Sequence, residues 1–314
     1  MINLVRKGLN SMKSLKRNGE TLILITGGAG FIGQHLVKEL SKEFEIIVLD
    51  NLSSGKLENI LKYDVNFVKG DICDEKKVEK VMRKKIDYVF HLAAQVSIEK
   101  SVKNPIFDAK TNILGTINLL KYAEKYRVKK FVYFSSAAVY GKPQRLPIDE
   151  NHPTKPLSPY GLSKLTGERY CELFNIPHVI LRIFNVYGIG QQPENPYSGV
   201  ISKFMDNVKK NESLEIFGDG NQYRDFVHVK DVVRAAKIAL SHEGTFNIGC
   251  GEKATINQLA EKILKLSKKD LKIVFRERRE EDIQESVADI KMARKVLGWE
   301  PTIGLDEGLT DMVI

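Results

Sequence analysis

The chain has 314 residues, 42% hydrophobic and 28% charged, a balance ordinary for a globular protein and long enough to bury a sizeable core in one large domain or two. Its formal charge of +9 comes from lysines spread along the chain; no block of five basic residues occurs, which argues against a dedicated nucleic-acid surface. No stretch approaches the ~20 apolar residues of a membrane span, and Cys73, Cys171 and Cys250 have no pair spacing, which fits reduced thiols in the cytoplasm and neither a disulfide frame nor a metal site.

Residues 1–20 carry Arg6, Lys7, Lys13, Lys16 and Arg17 against Glu20, with Ile2, Val5, Leu9 and Met12 at helical spacing. This is a basic amphipathic N-terminal extension. It lacks the apolar region and cleavage site of a secretory signal, and reads as a surface helix, or as an over-long start with Met12 the true one, in preference to membrane contact. The apolar run Leu22–Thr26 is a predicted strand. It leads into Gly27-Gly28-Ala29-Gly30-Phe31-Ile32-Gly33 and a predicted helix over Phe31–Leu40. In such a turn Gly27 permits the tight geometry, Gly30 lets the backbone approach a pyrophosphate, and Gly33 lets the helix pack on the sheet. The diphosphate would sit on the free N–H groups of the helix start. A second strand, Glu45–Leu49, ends at Asp50, an acid placed to accept the ribose hydroxyls and repel a 2′-phosphate. No arginine occurs among Asn51, Leu52, Ser53, Ser54 and Gly55, so NAD is expected over NADP.

Further strands are predicted at Asn66–Lys69, Tyr88–Leu92, Lys130–Ser135 and His178–Arg182, with helices over Ile113–Tyr126 and Tyr160–Leu173. This alternation predicts an α/β fold, a doubly wound parallel sheet of Rossmann type with right-handed crossovers. Ligands in such sheets bind beyond the strand C-terminal ends, where Asp50, Asp71, His91, Leu92, Ala93, Ala94, Ser135 and Asn185 fall. After residue 185 short elements alternate with Gly/Pro/Asn-rich loops. The expectation is an NAD-binding domain over 21–185 and a smaller C-terminal α/β substrate-binding region over 186–314, partly interleaved with the first.

The second motif is Tyr160-Gly161-Leu162-Ser163-Lys164, preceded by Ser135-Ser136-Ala137-Ala138-Val139-Tyr140-Gly141. A free tyrosine has a pKa near ~10 and is a poor base at neutral pH. Lys164 lies one helical turn on, and its ammonium, with the cation of an oxidised nicotinamide, would favour the phenolate. Lowering the pKa by about three units takes about 4 kcal/mol. A phenol base beside a dinucleotide cradle points to redox chemistry on an alcohol.

Taken together these motifs resemble the extended short-chain dehydrogenase/reductase family, and within it the UDP-glucose 4-epimerases, over essentially residues 21–310. The resemblance is carried by TGGAGFIG at 26–33, LDNLSSG at 49–55, GDI at 70–72, HLAAQ at 91–95, TNILGT at 111–116 and SSAAVYG at 135–141. It continues through SPYGLSK at 158–164, RIFNVYG at 182–188, FGDGNQYRDFVHVKDV at 217–232 and VADIKMARKVLGWEP at 287–301. It implies NAD held by Gly27, Gly30, Phe31, Ile32, Gly33, Asp50, Asn51, Ser54, Gly55, Asp71, Ile72, Leu92, Ala93, Ala94, Asn112, Ser135, Tyr160, Lys164 and Phe184. It implies catalysis by Ser136, Tyr160 and Lys164, with Ser135 the fallback for Ser136. Asn185, Arg224, Arg279 and Asp282 would hold the nucleotide diphosphate and its ribose, although Glu281 stands where the family's RxGD pattern has glycine. Ser286, four positions after Asp282, would face the sugar 2-substituent and, being small, admit N-acetyl groups.

The activity so implied is reversible oxidation of a UDP-sugar at C4, turnover of the 4-keto sugar and reduction from the other face, by a homodimer. A 4,6-dehydratase is disfavoured because Ala137 and Ala138 replace that reaction's Asp-Glu pair. A UDP-glucuronate-processing relative lacks a marked carboxylate pocket, and a non-catalytic NAD-binding regulator would not need Ser136, Tyr160 and Lys164 together.

Overall fold

Along Leu22–Thr26, Ile23 and Ile25 enter one hydrophobic core while Leu24 enters another, all three without exposure. A strand buried on both faces reads as a continuous apolar run because it lies inside a parallel sheet covered on each side. The structure, a computed structural model, describes residues 21–191, 199–278 and 283–313. Its strands are β1 (Leu22–Thr26), β2 (Glu45–Asp50), β3 (Asn66–Lys69), β4 (Tyr88–His91), β5 (Lys130–Ser136), β6 (His178–Ile183), β7 (Asn185–Tyr187), β8 (Leu214–Phe217), β9 (Tyr223–Arg224), β10 (Phe226–His228), β11 (Gly244–Ile248), β12 (Ala254–Thr255) and β13 (Ile273–Arg276). Seven of them form the central sheet in the order β11-β6-β5-β4-β1-β2-β3, every neighbouring pair parallel.

The helices Phe31–Leu40 and Val229–Ala239 cover the Ile23/Ile25 face, and Glu75–Met82, Gly115–Lys125 and Pro159–Leu173 cover the Leu24 face. Strand boundaries depart from the sequence reading by a single residue at the ends of β2, β4, β5 and β6, within the ordinary spread for element termini. The helix predicted from Ile113 differs in kind. Its entry is a π-helical turn over Lys110–Leu114, and the α-helix proper is Gly115–Lys125. Thr116 Oγ1 donates to the Asn112 carbonyl at 2.6 Å, and the Asn112 side chain is drawn into a loop contact described below. Such back-bonding loosens the local α ladder.

Past residue 185, β10 pairs with β7, β13 with β8 and β9 with β12, around a separate core that includes Phe204, Leu214, Leu259 and Ile263. Two features tie this part to the first. β11 adds to the central sheet beside β6, and Trp299 is fully buried in the Ile23/Ile25 core, its indole N–H donating to the Asp231 carbonyl at 3.1 Å. Asp231 also accepts from Thr302 N at 3.1 Å and Ile303 N at 3.0 Å, and pairs with Arg234 at 2.6 Å. No helix among the described residues is long and apolar enough to cross a membrane.

Candidate active site

The sheet order reverses between β1 and β4, which opens a crevice above their C-terminal ends. Gly27 takes φ +72°, and a Cβ there would lie 2.7 Å from Ala93 N; a Cβ on Gly33 would lie 2.2 Å from Gly27 O. Only glycine allows the helix to start this close to the turn. Gly30 caps that helix with no side-chain hydrogen bond, and its first turn holds no acid, leaving the N-terminal N–H groups facing the crevice for an anion. Asp50 is buried, with Oδ2 accepting Ala29 N–H at 3.0 Å and Oδ1 accepting Leu52 N–H at 2.8 Å. The carboxylate therefore shapes the glycine turn as well as ending β2. Beside it Asn51 donates to Asp71 at 2.9 Å. Burial alone would raise the Asp71 pKa, but the Cys73 N–H and the Asn51 amide outweigh it and hold the carboxyl below its usual value.

The cleft, of about 320 Å³, brings together most of the residues singled out from the sequence: Gly27, Gly30, Phe31, Ile32, Gly33, Asp50, Asn51, Ser54, Asp71, Ile72, Leu92, Ala93, Ala94, Ser135, Ser136, Tyr160, Lys164 and Phe184. Gly55 and Asn112 are not among its walls. Gly55 backs the turn, its would-be Cβ 2.6 Å from the Ala29 carbonyl carbon. Asn112 is buried and spans Gln95 N at 2.8 Å, Asp108 Oδ1 at 3.1 Å and Ser163 Oγ at 3.1 Å, so it fixes the loop after β4 to the Pro159–Leu173 helix.

At the far end of the cleft, Ser158 caps the Pro159–Leu173 helix by accepting Gly161 N–H at 3.1 Å, and Pro159 pre-sets its first turn. Gly161 packs on the Ala138 carbonyl, 2.6 Å from where a Cβ would be. That contact holds the helix start against the turn after Ser136, and Ser136 and Tyr160 both line the cleft. Lys164 is buried with Nζ 4.4 Å from the centroid of the Tyr133 ring. Burial pulls its pKa down to about 8 while the Glu168 and Asp108 carboxylates hold it up. Desolvation pushes the Tyr160 pKa up, the Ser136 hydroxyl lowers it and Asp108 adds to the rise. Ser135 donates its hydroxyl to Glu168 Oε1 at 2.5 Å, which leaves Ser136 as the serine beside the phenol.

The expected substrate residues gather along β9 and its continuation, outside the cleft walls. Asn185 Nδ2 donates to Asp225 O at 3.1 Å, Arg224 Nη1 to Tyr223 O at 3.0 Å, and Ser286 N to Tyr223 O at 3.3 Å. Asp225 anchors the group, accepting from Gly251 N at 2.9 Å and Ala288 N at 3.0 Å, with burial pushing its carboxyl up to about 6. Arg279 and Asp282 lie outside the described residues.

A family model for the NAD dependent epimerase/dehydratase family matches residues 23–249. The chain belongs to that family. A Methanocaldococcus jannaschii protein is 46% identical over 299 residues, covering 93% of this chain and 97% of its own. A UDP-glucose 4-epimerase from Thermotoga maritima, solved with UDP-glucose, has a TM-score of 0.90 at 41% identity over 93% of this chain and 97% of its own. A UDP-N-acetylglucosamine 4-epimerase from Methanobrevibacter ruminantium, solved with UDP-N-acetylmuramic acid, has a TM-score of 0.90 at 34% identity over 94% and 97%.

Membership makes NAD the cofactor of the epimerase cleft, and the residues fit it: a cradle that any Cβ would fill, an uncapped helix start for the diphosphate and an acid at the ribose end. Sequence reasoning missed the wall made by Val96, Thr111, Val186, Gly190 and Gln191. The loop carrying the last two is tied across the cleft by His35 Nε2, which hydrogen-bonds Ile189 O at 2.8 Å, and by Gln34, which donates to Gly190 O at 3.4 Å. The available signal was Gly188-Ile189-Gly190, whose glycines both take positive φ, +148° and +89°.

Proposed function

We propose that the protein is a UDP-sugar 4-epimerase that interconverts UDP-glucose with UDP-galactose, and UDP-GlcNAc with UDP-GalNAc, through a 4-keto sugar. The observation that carries this reading is that Ser136, Tyr160 and buried Lys164 line one cleft with the glycine turn and Asp50, which are built for a dinucleotide. Bound NAD would supply the hydride acceptor and donor at C4. Tyr160 would take the proton of the sugar 4-hydroxyl in one half-reaction and return it in the other. Ser136 would hold that hydroxyl against the phenol. Lys164 would bear a positive charge near the proton-transfer site, and the burial that raises the Tyr160 pKa makes such added positive charge necessary for a phenolate. Ala137 and Ala138 follow Ser136 in a tight turn and carry no group able to shuttle a proton to C5 or C6, which disfavours dehydration.

The size of the sugar is read from Ser286, which is buried and small; its hydroxyl would meet an acetamide without crowding it. The assay is incubation with each of the four UDP-sugars and resolution of products by NMR. Conversion of a 4-epimer pair supports the reading, and a 4-keto-6-deoxy product or no turnover of any sugar would refute it. A homodimer is part of the same proposal. Leu162 on the Pro159–Leu173 helix and Ile98, Val102, Ile106 and Leu114 on the helices preceding Gly115 are exposed apolar residues, and a second copy of this chain is their natural cover. Light scattering of the purified protein at monomer mass would reject it.

A further inference from the structure

Glu168 lies one helical turn beyond Lys164, on the same face of the same helix, and is almost wholly buried. Two side chains converge on its carboxylate through three donor atoms. Ser135 Oγ donates at 2.5 Å from the end of β5, next to Ser136. Arg182, on β6, donates from Nε at 3.0 Å and from Nη2 at 2.7 Å. The remaining edge of the guanidinium donates from Nη1 to the Tyr140 hydroxyl at 3.0 Å and to the Glu150 carbonyl at 3.1 Å. From there the network runs on. Tyr140 donates to Asn247 Oδ1 at 2.6 Å, and Asn247 Nδ2 donates to the Ile148 carbonyl at 2.9 Å. Ile148 in turn pairs with the segment just after Ser286, accepting Asp289 N–H at 2.7 Å and donating to Val287 O at 2.8 Å. A buried ion pair is weak support for stability, since apolar residues of similar volume often do as well. Its location, between the Lys164 turn and the strand end that carries Ser136, calls for another reason.

We propose that Glu168 is a positioning residue for proton transfer: held by Arg182, it locks the Lys164 turn to the strand end that carries Ser136 and supplies the counter-charge of the Lys164 ammonium. The inference rests on the 4-epimerase reading above and deepens it. The groups facing Lys164 are the Tyr133 ring on β5, His91 on β4, Asp108 on the Pro105–Ala109 helix, and Glu168 and Cys171 on its own helix. Burial keeps Tyr133 and Cys171 protonated and His91 neutral, so Glu168 and Asp108 are the anions that hold the amine charged, Glu168 the more strongly. Asp108 Oδ1 is already shared between Gln95 at 2.8 Å and Asn112 at 3.1 Å.

The test compares Glu168→Gln, the double variant Glu168→Leu/Arg182→Met and Asp108→Asn with the wild-type holoenzyme. Glu168→Gln strands a buried guanidinium and can fail to fold; the double variant removes both charges and keeps the volume apolar. We expect the double variant to melt near the wild-type temperature and yet turn over at least about 10-fold more slowly, as expected when proton transfer is mis-set. In Glu168→Gln the alkaline limb of the kcat profile, where the ammonium is lost, should move down by about one to two pH units, the scale for losing a close opposite charge; in the double variant, which also removes the Arg182 cation, it should move the same way by less. The Lys164 resonance in protein labelled at the lysine ε-carbons should titrate lower by the same amount in each variant. An unmoved limb and an unmoved Lys164 titration would overturn the proposal, as would a larger shift in Asp108→Asn than in Glu168→Gln. A wild type inactive on all four sugars refutes the epimerase reading instead, and the lysine titration then still decides the role of Glu168.

Discussion

Replacing Asp50 separates two roles that one carboxylate fills. Its Oδ2 accepts the N–H of fully buried Ala29 at 3.0 Å, and its Oδ1 accepts the half-buried Leu52 N–H at 2.8 Å. In Asp50→Ala the Ala29 N–H is left buried without a partner, a loss of about 1–3 kcal/mol, while the Leu52 N–H is partly recovered by water. Taking roughly 2 kcal/mol, nucleotide-stripped Asp50→Ala should melt about 3 °C below the wild type, the scale for a chain of this length. Asp50→Asn retains an acceptor oxygen for Ala29 and should lose about half as much. Both variants remove the charge that repels a 2′-phosphate, so both should weaken NAD binding and bring NADP affinity closer to it. Scanning fluorimetry of stripped protein measures the first effect, and calorimetric titration with NAD and NADP the second. A wild-type melting temperature in Asp50→Ala would show that the glycine turn stands without this carboxylate. Undiminished selectivity for NAD in Asp50→Asn would show that the selectivity has another source.

Tyr160→Phe should nearly abolish turnover while NAD stays bound, which stopped-assay NMR and release of the nucleotide on denaturation check together. Ser136→Ala should lower kcat by about 10²-fold, the scale for a positioned proton-transfer partner; a greater loss in Ser135→Ala would move the role to the neighbouring serine. Ser286→Tyr should suppress activity on the N-acetylated sugars selectively, and equal loss on both pairs would refute the assignment. Asp231→Ala strips the acceptors of Thr302 and Ile303 and removes the Arg234 ion pair. It should cost about 3 kcal/mol by denaturant titration, and a cost under about 1 kcal/mol would mean that Trp299 alone seats this segment.

Where a residue's role is set by its own neighbours in the chain, the sequence was enough to read it. The two-sided burial of β1 follows from an unbroken apolar run, and the crevice above it from three glycines at fixed spacing. The strand-ending position of Asp50 was equally legible, but its bonds to Ala29 and Leu52 were not, because they depend on how the turn folds back over β2. The direction of Lys164 could not be read from helical spacing. That spacing places it on the Tyr160 face, but the Tyr133 ring that it covers comes from a strand 31 residues earlier. Asn112 was carried into the site by its motif, whereas its hydrogen bonds make it a brace for the loop at Gln95. The Gly188–Gln191 wall escaped notice because its partners, Gln34 and His35, are more than 150 residues away.

The placement of β11 has a consequence for how the chain comes off the ribosome. β1 sits mid-sheet, so the strands up to β6 can assemble as they emerge, but β6 then presents an unpaired edge until residue 248 has been made. The Ile23/Ile25 core stays open longer, until Trp299 arrives to fill it. A nascent chain in that interval exposes a row of free backbone donors and acceptors beside uncovered apolar surface, the combination that recruits chaperones or invites strand-to-strand association. Cutting the gene near residue 185 to obtain a nucleotide-binding fragment would make that interval permanent.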